Sequence, residues 1–232
     1  MTSTDDISLG GRRIVVMGAS CPAGRAVAVR FAERGAALGL TTATGAAVEA
    51  VEVQKLARRL TEQGHRAVAE SVDLSSGANV QVAMRQLSKA LSGVDTLIIA
   101  SDLAQEQVSQ RVSDADWSRL IGQNLGSVFY AARAAYREMA QREPDATGLR
   151  GRVVVIVPAV ADEAGAVYRA ARAGLEGLVI ALQDEWAAAG ISIALLTVAS
   201  LDDQDAAAAD DTAGVVLGMA VAPPTLGSPL RG

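Results

Sequence analysis

Arg13-Ile14-Val15-Val16-Met17-Gly18-Ala19-Ser20-Cys21-Pro22-Ala23-Gly24 joins a run of β-formers to a glycine-flanked turn and then to a helical pattern. A short Val/Ile-rich run closed by glycine reads as a buried strand. A helix that starts directly behind such a strand offers backbone N–H groups and the positive end of its dipole to a phosphate. Gly18 and Gly24 would permit the turn and a close backbone approach, with Ser20 inside the loop. Position after the first strand, more than two glycines six residues apart, marks this as a nucleotide loop. Pro22 suits the first position of a helix. It also removes an N–H and adds bulk where a phosphate would lie. A thiol at a helix N-terminus such as Cys21 can become acidic, but no base is visible beside it, and a small residue filling the turn is the simpler reading.

The same style continues outward from this stretch. Strand-like runs at 37–41, 67–72, 96–100, 153–157 and 191–196 alternate with helical patterns at 22–34, 47–63, 77–92, 115–142 and 166–189. Continuous apolar strands between helices imply a parallel sheet covered on both faces. Right-handed crossovers make it a doubly wound, Rossmann-like α/β sheet. The pattern predicts one domain at 13–221, with tails at 1–12 and 222–232.

Composition bounds the function. The chain has 232 residues, half of them apolar and only 3% aromatic, so its core must be Ala, Val, Leu and Ile. A net charge of −5 provides no basic footprint for nucleic acid or anionic lipid. One cysteine, Cys21, and one histidine, His65, cannot build a His/Cys metal cluster. The polar stretch 1–13 lacks the apolar run of a secretion signal, and the longest apolar run, 153–161, is too short to span a bilayer. A cytoplasmic protein is expected, with no metal, membrane or nucleic-acid partner.

These residues together resemble the short-chain dehydrogenase/reductase family. The family pattern T-G-x-x-x-G-x-G is matched at Gly18 and Gly24, with Met17 for the threonine and Pro22 for the middle glycine. Asp73-Leu74 looks like the family's pair beside the adenine, although Asp73 also reads as an N-cap or turn acid. The family's N-N-A-G is replaced by Ile99-Ala100-Ser101-Asp102. Thr41-Thr42-Ala43 carries neither the acid that selects NAD nor the base that selects NADP. Trp117 and Asn124-Leu125 resemble the start of the long interface helix, where Asn124 matches a family catalytic residue or, alternatively, makes a polar kink. The resemblance implies an Asn-Ser-Tyr-Lys active site. A cation lowers the tyrosine pKa, ordinarily about 10, and the serine hydroxyl polarises the substrate oxygen. Tyr168 matches; Arg172 stands at the lysine, keeping charge without the compact ammonium. No Ser or Thr occurs from 153 to 167, and Val157-Pro158 stands at the family's serine pair. The family's P-G appears as Ala199-Ser200, and its covering loop shrinks to 201–210 before a helix-like 212–220. The last strand is expected near Pro223-Pro224-Thr225-Leu226-Gly227.

The departures gather at functional positions while the core pattern stays intact. The expectation is therefore a non-catalytic family member, with absent or weak NAD(P) binding, that assembles with an active paralogous chain or with itself through 115–142 and 166–189. Small residues there (Ala131, Ala132, Ala134, Ala135; Ala170, Ala171, Ala173, Gly174, Gly177) and apolar ones (Leu175, Leu178, Ile180, Leu182) allow close helix contact, either between subunits or on the chain's own sheet. The alternatives are an active NAD(P)-dependent oxidoreductase using Tyr168, Arg172 and Asn124, and a nucleotide- or ligand-binding module without turnover. Nothing in the sequence names a substrate.

Overall fold

The computed structural model describes residues 7–101, 106–198, 206–221 and 230–231. Elements follow in the order β1 (Arg13–Met17), α1 (Pro22–Glu33), β2 (Ala37–Thr41), α2 (Ala47–Glu62), β3 (Ala67–Glu70), α3 (Gly77–Leu91), β4 (Thr96–Ala100), α4 (Asp114–Ile121), α5 (Ser127–Met139), β5 (Gly151–Pro158), α6 (Ala166–Ala187), β6 (Ile191–Val198), α7 (Ala206–Val221) and β7 (Leu230–Arg231). The sheet order is β3-β2-β1-β4-β5-β6-β7, and every pairing in it is parallel. This is the doubly wound sheet that the alternation of strands and helices predicts. The order reverses between β1 and β4, so the loops leaving their carboxyl ends run to opposite faces and open a crevice.

Side-chain alternation along the strands splits the core in two. Val15, Met17, Leu97, Ile99, Val153 and Val155 meet α3, α5 and α6 on one face. Ile14, Val16, Leu38, Ile98, Val154 and Ile156 meet α1, α2 and α7 on the other. Both layers are aliphatic, with Phe31 a large aromatic buried completely in the second.

Several boundaries differ from the sequence expectation: α7 begins at Ala206, inside the stretch read as the shortened loop 201–210, β5 and β6 run to Pro158 and Val198, and α6 ends at Ala187. Three further differences have a local reason. β3 stops at Glu70 instead of 72, because the Thr42 hydroxyl accepts from Val72 N (2.8 Å) and donates to Val72 O (2.7 Å). A side chain replaces the strand ladder there. The helix expected over 115–142 is α4 and α5 joined by a π-helical turn at Gly122–Gly126, and it ends at Met139. Finally, Leu230 and Arg231, in the segment read as a C-terminal tail, pair with Leu196 and Thr197 as a seventh strand. The stretches 199–205 and 222–229, with Ala199-Ser200, the first half of the expected 201–210 loop and the Pro223–Gly227 segment, lie outside the described residues, as does Asp102.

Candidate functional site

The turn after β1 is held by the chain's own backbone. Gly18 has φ +85°, and a Cβ there would lie 1.9 Å from Ala100 O at the end of β4. At Gly24 a Cβ would lie 2.4 Å from Gly18 O. Close packing of α1 against β1 and β4 therefore requires both glycines whether or not a ligand is bound. Cys21 is the N-cap of α1. Its Sγ accepts from Gly24 N at 3.4 Å and donates to Ala100 O at 3.3 Å. Burial pushes the Cys21 thiol up, against the opposing pull of the Gly24 and Ala23 N–H groups. Cys21 is thus a satisfied turn residue and not an activated nucleophile. Pro22 occupies the first helical position, as expected.

Sequence reasoning missed Glu49. It stands in the first turn of α2, three residues after the N-cap Ala46, where an acid suits the helix dipole and can reach back to backbone N–H groups. Its Oε2 accepts from Ala43 N and Thr44 N, both at 2.9 Å, and from the Ser20 hydroxyl at 3.3 Å. Its Oε1 accepts from the Thr44 hydroxyl at 2.7 Å. The carboxylate thus sits in a ring of donors between the β1 and β2 loops, where Ser20 was expected to face a phosphate. The acid–position spacing at the start of α2 was the signal that could have found it.

Asp73 closes a turn: its Oδ1 accepts from Ser75 N at 2.9 Å and from the Ser75 hydroxyl at 2.7 Å. Leu74 N donates to Ala43 O at 3.0 Å, so the β2 and β3 loops are stitched together. Gln123, in the π-helical turn, reaches across the crevice. Its Nε2 donates to Ala43 O (3.2 Å) and to the Ser101 hydroxyl (3.3 Å), linking the ends of β2 and β4. Its neighbour Asn124 is buried in the same turn, which packs on α6.

Tyr168 and Arg172 lie one turn apart on the buried face of α6. Arg172 is 5% exposed and its Nη2 donates to Pro158 O, the last residue of β5, at 2.9 Å. Its Nε and Nη1 have no acceptor. The β5–α6 loop is tied down by Arg169, which donates from Nε to Ala164 O (2.9 Å) and from Nη2 to Ala161 O (3.0 Å) and Asp162 O (2.7 Å). Gly18, Ser20 and Gly24 therefore stand in the turn after β1 and Asp73 in the turn after β3, while Arg172 reaches the end of β5, with Tyr168 one turn before it on α6 and Asn124 in the turn packed on α6.

The helices proposed for assembly divide. Ala131, Ala132, Ala134 and Ala135 are buried in the chain's own core, as are Ala171, Leu175 and Leu182. Ala170, Ala173, Gly174 and Gly177 face outward, with Ile180 54% and Trp117 51% exposed. Among the described residues no group of acidic, histidine or cysteine side chains could hold a metal ion, and no helix is long and apolar enough to cross a membrane.

A parallel sheet with this order, a glycine turn behind β1 and a Tyr/Arg pair on the helix after β5 define a dinucleotide-fold protein of the dehydrogenase class. The chain belongs to the short-chain dehydrogenase family, whose model matches residues 12–211. It is 27% identical over 189 residues to (2S)-[(R)-hydroxy(phenyl)methyl]succinyl-CoA dehydrogenase subunit BbsD of Thauera aromatica, covering 81% of this chain and 72% of that one. It is 27% identical over 212 residues to the 3-oxoacyl-[acyl-carrier-protein] reductase of Escherichia coli K12, covering 89% and 81%. A dehydrogenase/reductase of Sinorhizobium meliloti 1021 superposes with a TM-score of 0.76 at 27% identity, covering 94% of this chain and 90% of that one. A metagenomic short-chain oxidoreductase solved in complex with NADP shares the fold at a TM-score of 0.81 and 24% identity, covering 97% of each chain.

Proposed function

We propose that this chain is a non-catalytic short-chain dehydrogenase subunit that assembles with an active paralogous chain or with a second copy. One observation carries the reading: the segment that should present a hydroxyl to the substrate oxygen has none from 153 to 167. Pro158 stands there, and its carbonyl holds the Arg172 guanidinium. Removing one such donor typically costs about 10²–10³ in rate.

The dinucleotide crevice supports the same reading. Pro22 has no N–H, and the next donors of α1 converge on Cys21 Sγ. Glu49 places a carboxylate in the donor ring beside Ser20, and Gln123 spans the β2 and β4 loops. These groups do not fit a pyrophosphate or a 2′-phosphate as they stand, so NAD(P) binding is weak or absent in this reading. The name of the Thauera relative, a dehydrogenase subunit, is compatible with a subunit role. The outward stripe of Ala170, Ala173, Gly177 and Ile180 on α6, with Trp117 on α4, is the surface we assign to the partner.

The test joins two measurements on the full chain. Titration with NAD, NADH, NADP and NADPH should give dissociation constants no tighter than about 1 mM, and acetoacetyl-CoA with either reduced form should give no turnover. Light scattering should show an oligomer, or a monomer that joins a paralogous dehydrogenase on mixing. Turnover that vanishes in Tyr168→Phe would instead establish the second reading, an active oxidoreductase working through Tyr168 and Arg172. The buried one-turn spacing of that pair is the observation that favours it.

A further inference from the structure

Arg172 is a buried guanidinium whose charge no carboxylate among the described residues answers. Its Nε and Nη1 are sealed from water without an acceptor. No carboxylate among the described residues pairs with it, and its one recorded bond is Nη2 to the neutral carbonyl of Pro158. Arg152 shows what this fold does with a structural arginine. Equally buried at the other end of β5, Arg152 donates from Nη1 to Asp145 Oδ2 (2.8 Å) and from Nη2 to the Thr147 hydroxyl. Taking a cation out of water without a counter-charge is costly. The counter-charge of Arg172 has to come from beyond the described residues, and a bound anion supplies one.

The position of Arg172 supplies the second argument. It lies at the carboxyl end of β5, where open α/β sheets receive their ligands. The loop that follows Pro158, the acceptor of Arg172, is exposed from 159 to 163. Tyr168 lies one helical turn earlier on the same buried face, and Asn124 is buried in the turn packed on α6.

We propose that this site binds a small molecule through its carboxylate, with Arg172 as the anion receptor. Nη2 spends one hydrogen on Pro158 O. Its second hydrogen, together with Nη1–H or Nε–H, forms the two-pronged edge that matches a planar carboxylate. One unpaired positive charge balances a monoanion, which selects a carboxylate over the more highly charged phosphate monoester. The proposal concerns binding alone and does not rest on the non-catalytic reading. An active enzyme and an inactive subunit would both hold the ligand, so its failure leaves the assembly reading standing.

Thermal unfolding of the full chain tests it, with sodium acetate, sodium benzoate and inorganic phosphate compared at matched ionic strength against sodium chloride. A hundredfold excess of acetate or benzoate over its dissociation constant should raise the wild-type Tm by about 5–10 °C. Arg172→Met should lose that shift, and Arg172→Lys should retain a smaller one. A Tm unmoved by either carboxylate overturns the proposal. So does an equal shift in Arg172→Met, which would place the anion elsewhere. A phosphate shift larger than the carboxylate shifts, abolished in Arg172→Met, overturns the ligand class. Should Arg172→Met fail to fold, the wild-type and Arg172→Lys comparison decides: equal shifts in both would overturn the two-pronged contact.

Discussion

β5 meets a buried arginine at each end, and the two are treated in opposite ways. At the amino end Arg152 is locked to Asp145, which also accepts from Arg12 at 2.9 Å and from the Thr147 hydroxyl at 2.6 Å. Beside them Asp95 accepts from Arg13 Nε and Nη2 at 2.8 and 2.9 Å and pairs with Arg142. At the carboxyl end Arg172 has, among the described residues, one neutral acceptor and no carboxylate, with Nε and Nη1 unused where Arg152 leaves only Nε. A parallel sheet binds ligands at its carboxyl edge, so polar groups at the amino edge answer only to stability. The contrast separates a charge that the described residues pair from one that they leave unpaired.

The largest effect should come from breaking the paired end. Asp145→Ala leaves the buried Arg152 without a counter-charge, and such losses typically cost about 3–5 kcal/mol. Arg172→Met removes a charge that no described carboxylate pairs, so unfolding free energy should change by less than about 1 kcal/mol or rise. Urea denaturation of the two variants measures both. Equal destabilisation would erase the distinction between the two ends of β5.

Acid should find the same end. Burial pushes both carboxyls upward, but the Thr147 hydroxyl, Arg152 and Arg12 hold Asp145 well below its usual range, and Arg13 and Arg142 hold Asp95 below it. A depressed folded-state pKa means that the unfolded chain binds more protons, so stability rises with pH. The contribution is complete above the unfolded value, about 3.9, and drains as pH falls below it towards the folded values. Urea midpoints should therefore be steady above about pH 5 and fall below pH 4. Asp145→Asn should flatten part of that fall. An undiminished acid slope in this variant would remove Asp145 from the account.

What was legible in the sequence was periodic or local. Six strand positions and the starts of α1, α2, α3, α4 and α6 follow from apolar runs and their punctuation, because burial on both sheet faces leaves no other reading of Ile14-Val15-Val16 or 153–157. The glycine turn was legible too, but its cause was not. Only the fold shows that Ala100 O and Gly18 O, distant and near in sequence, exclude a Cβ at Gly18 and Gly24. The alanines of α5 read equally well as an interface or as core, and three-dimensional packing alone turns them inward. β7 hid in two residues paired with a strand more than thirty positions earlier. Arg172 was visible as a substitution, but its lack of partners is a tertiary fact.

Glu49 gives the carboxyl edge its own internal control, and the smallest effect. Here an anion is needed and the chain supplies it: four donors, from Ala43 N, Thr44 N and the Ser20 and Thr44 hydroxyls, converge on one carboxylate. Glu49→Ala leaves those donors to water at a half-buried site, so the loss should be only about 1 kcal/mol. The vacated ring is then a nest for an oxyanion. Inorganic phosphate should raise the Tm of Glu49→Ala more than that of the wild type, in which the carboxylate already fills the ring and repels a second anion. Phosphate also stabilises proteins generally by exclusion from their surface, which is why the difference between the two proteins is the quantity that matters. The comparison with Arg172 then becomes a single experiment in two arms. At Glu49 an added anion should act only after the side chain is removed; at Arg172 it should act only while the side chain is present. Identical phosphate responses in wild type and Glu49→Ala would mean that the Ser20–Thr44 donors are not an anion site, and that Glu49 serves only to tie α2 to the β2 loop.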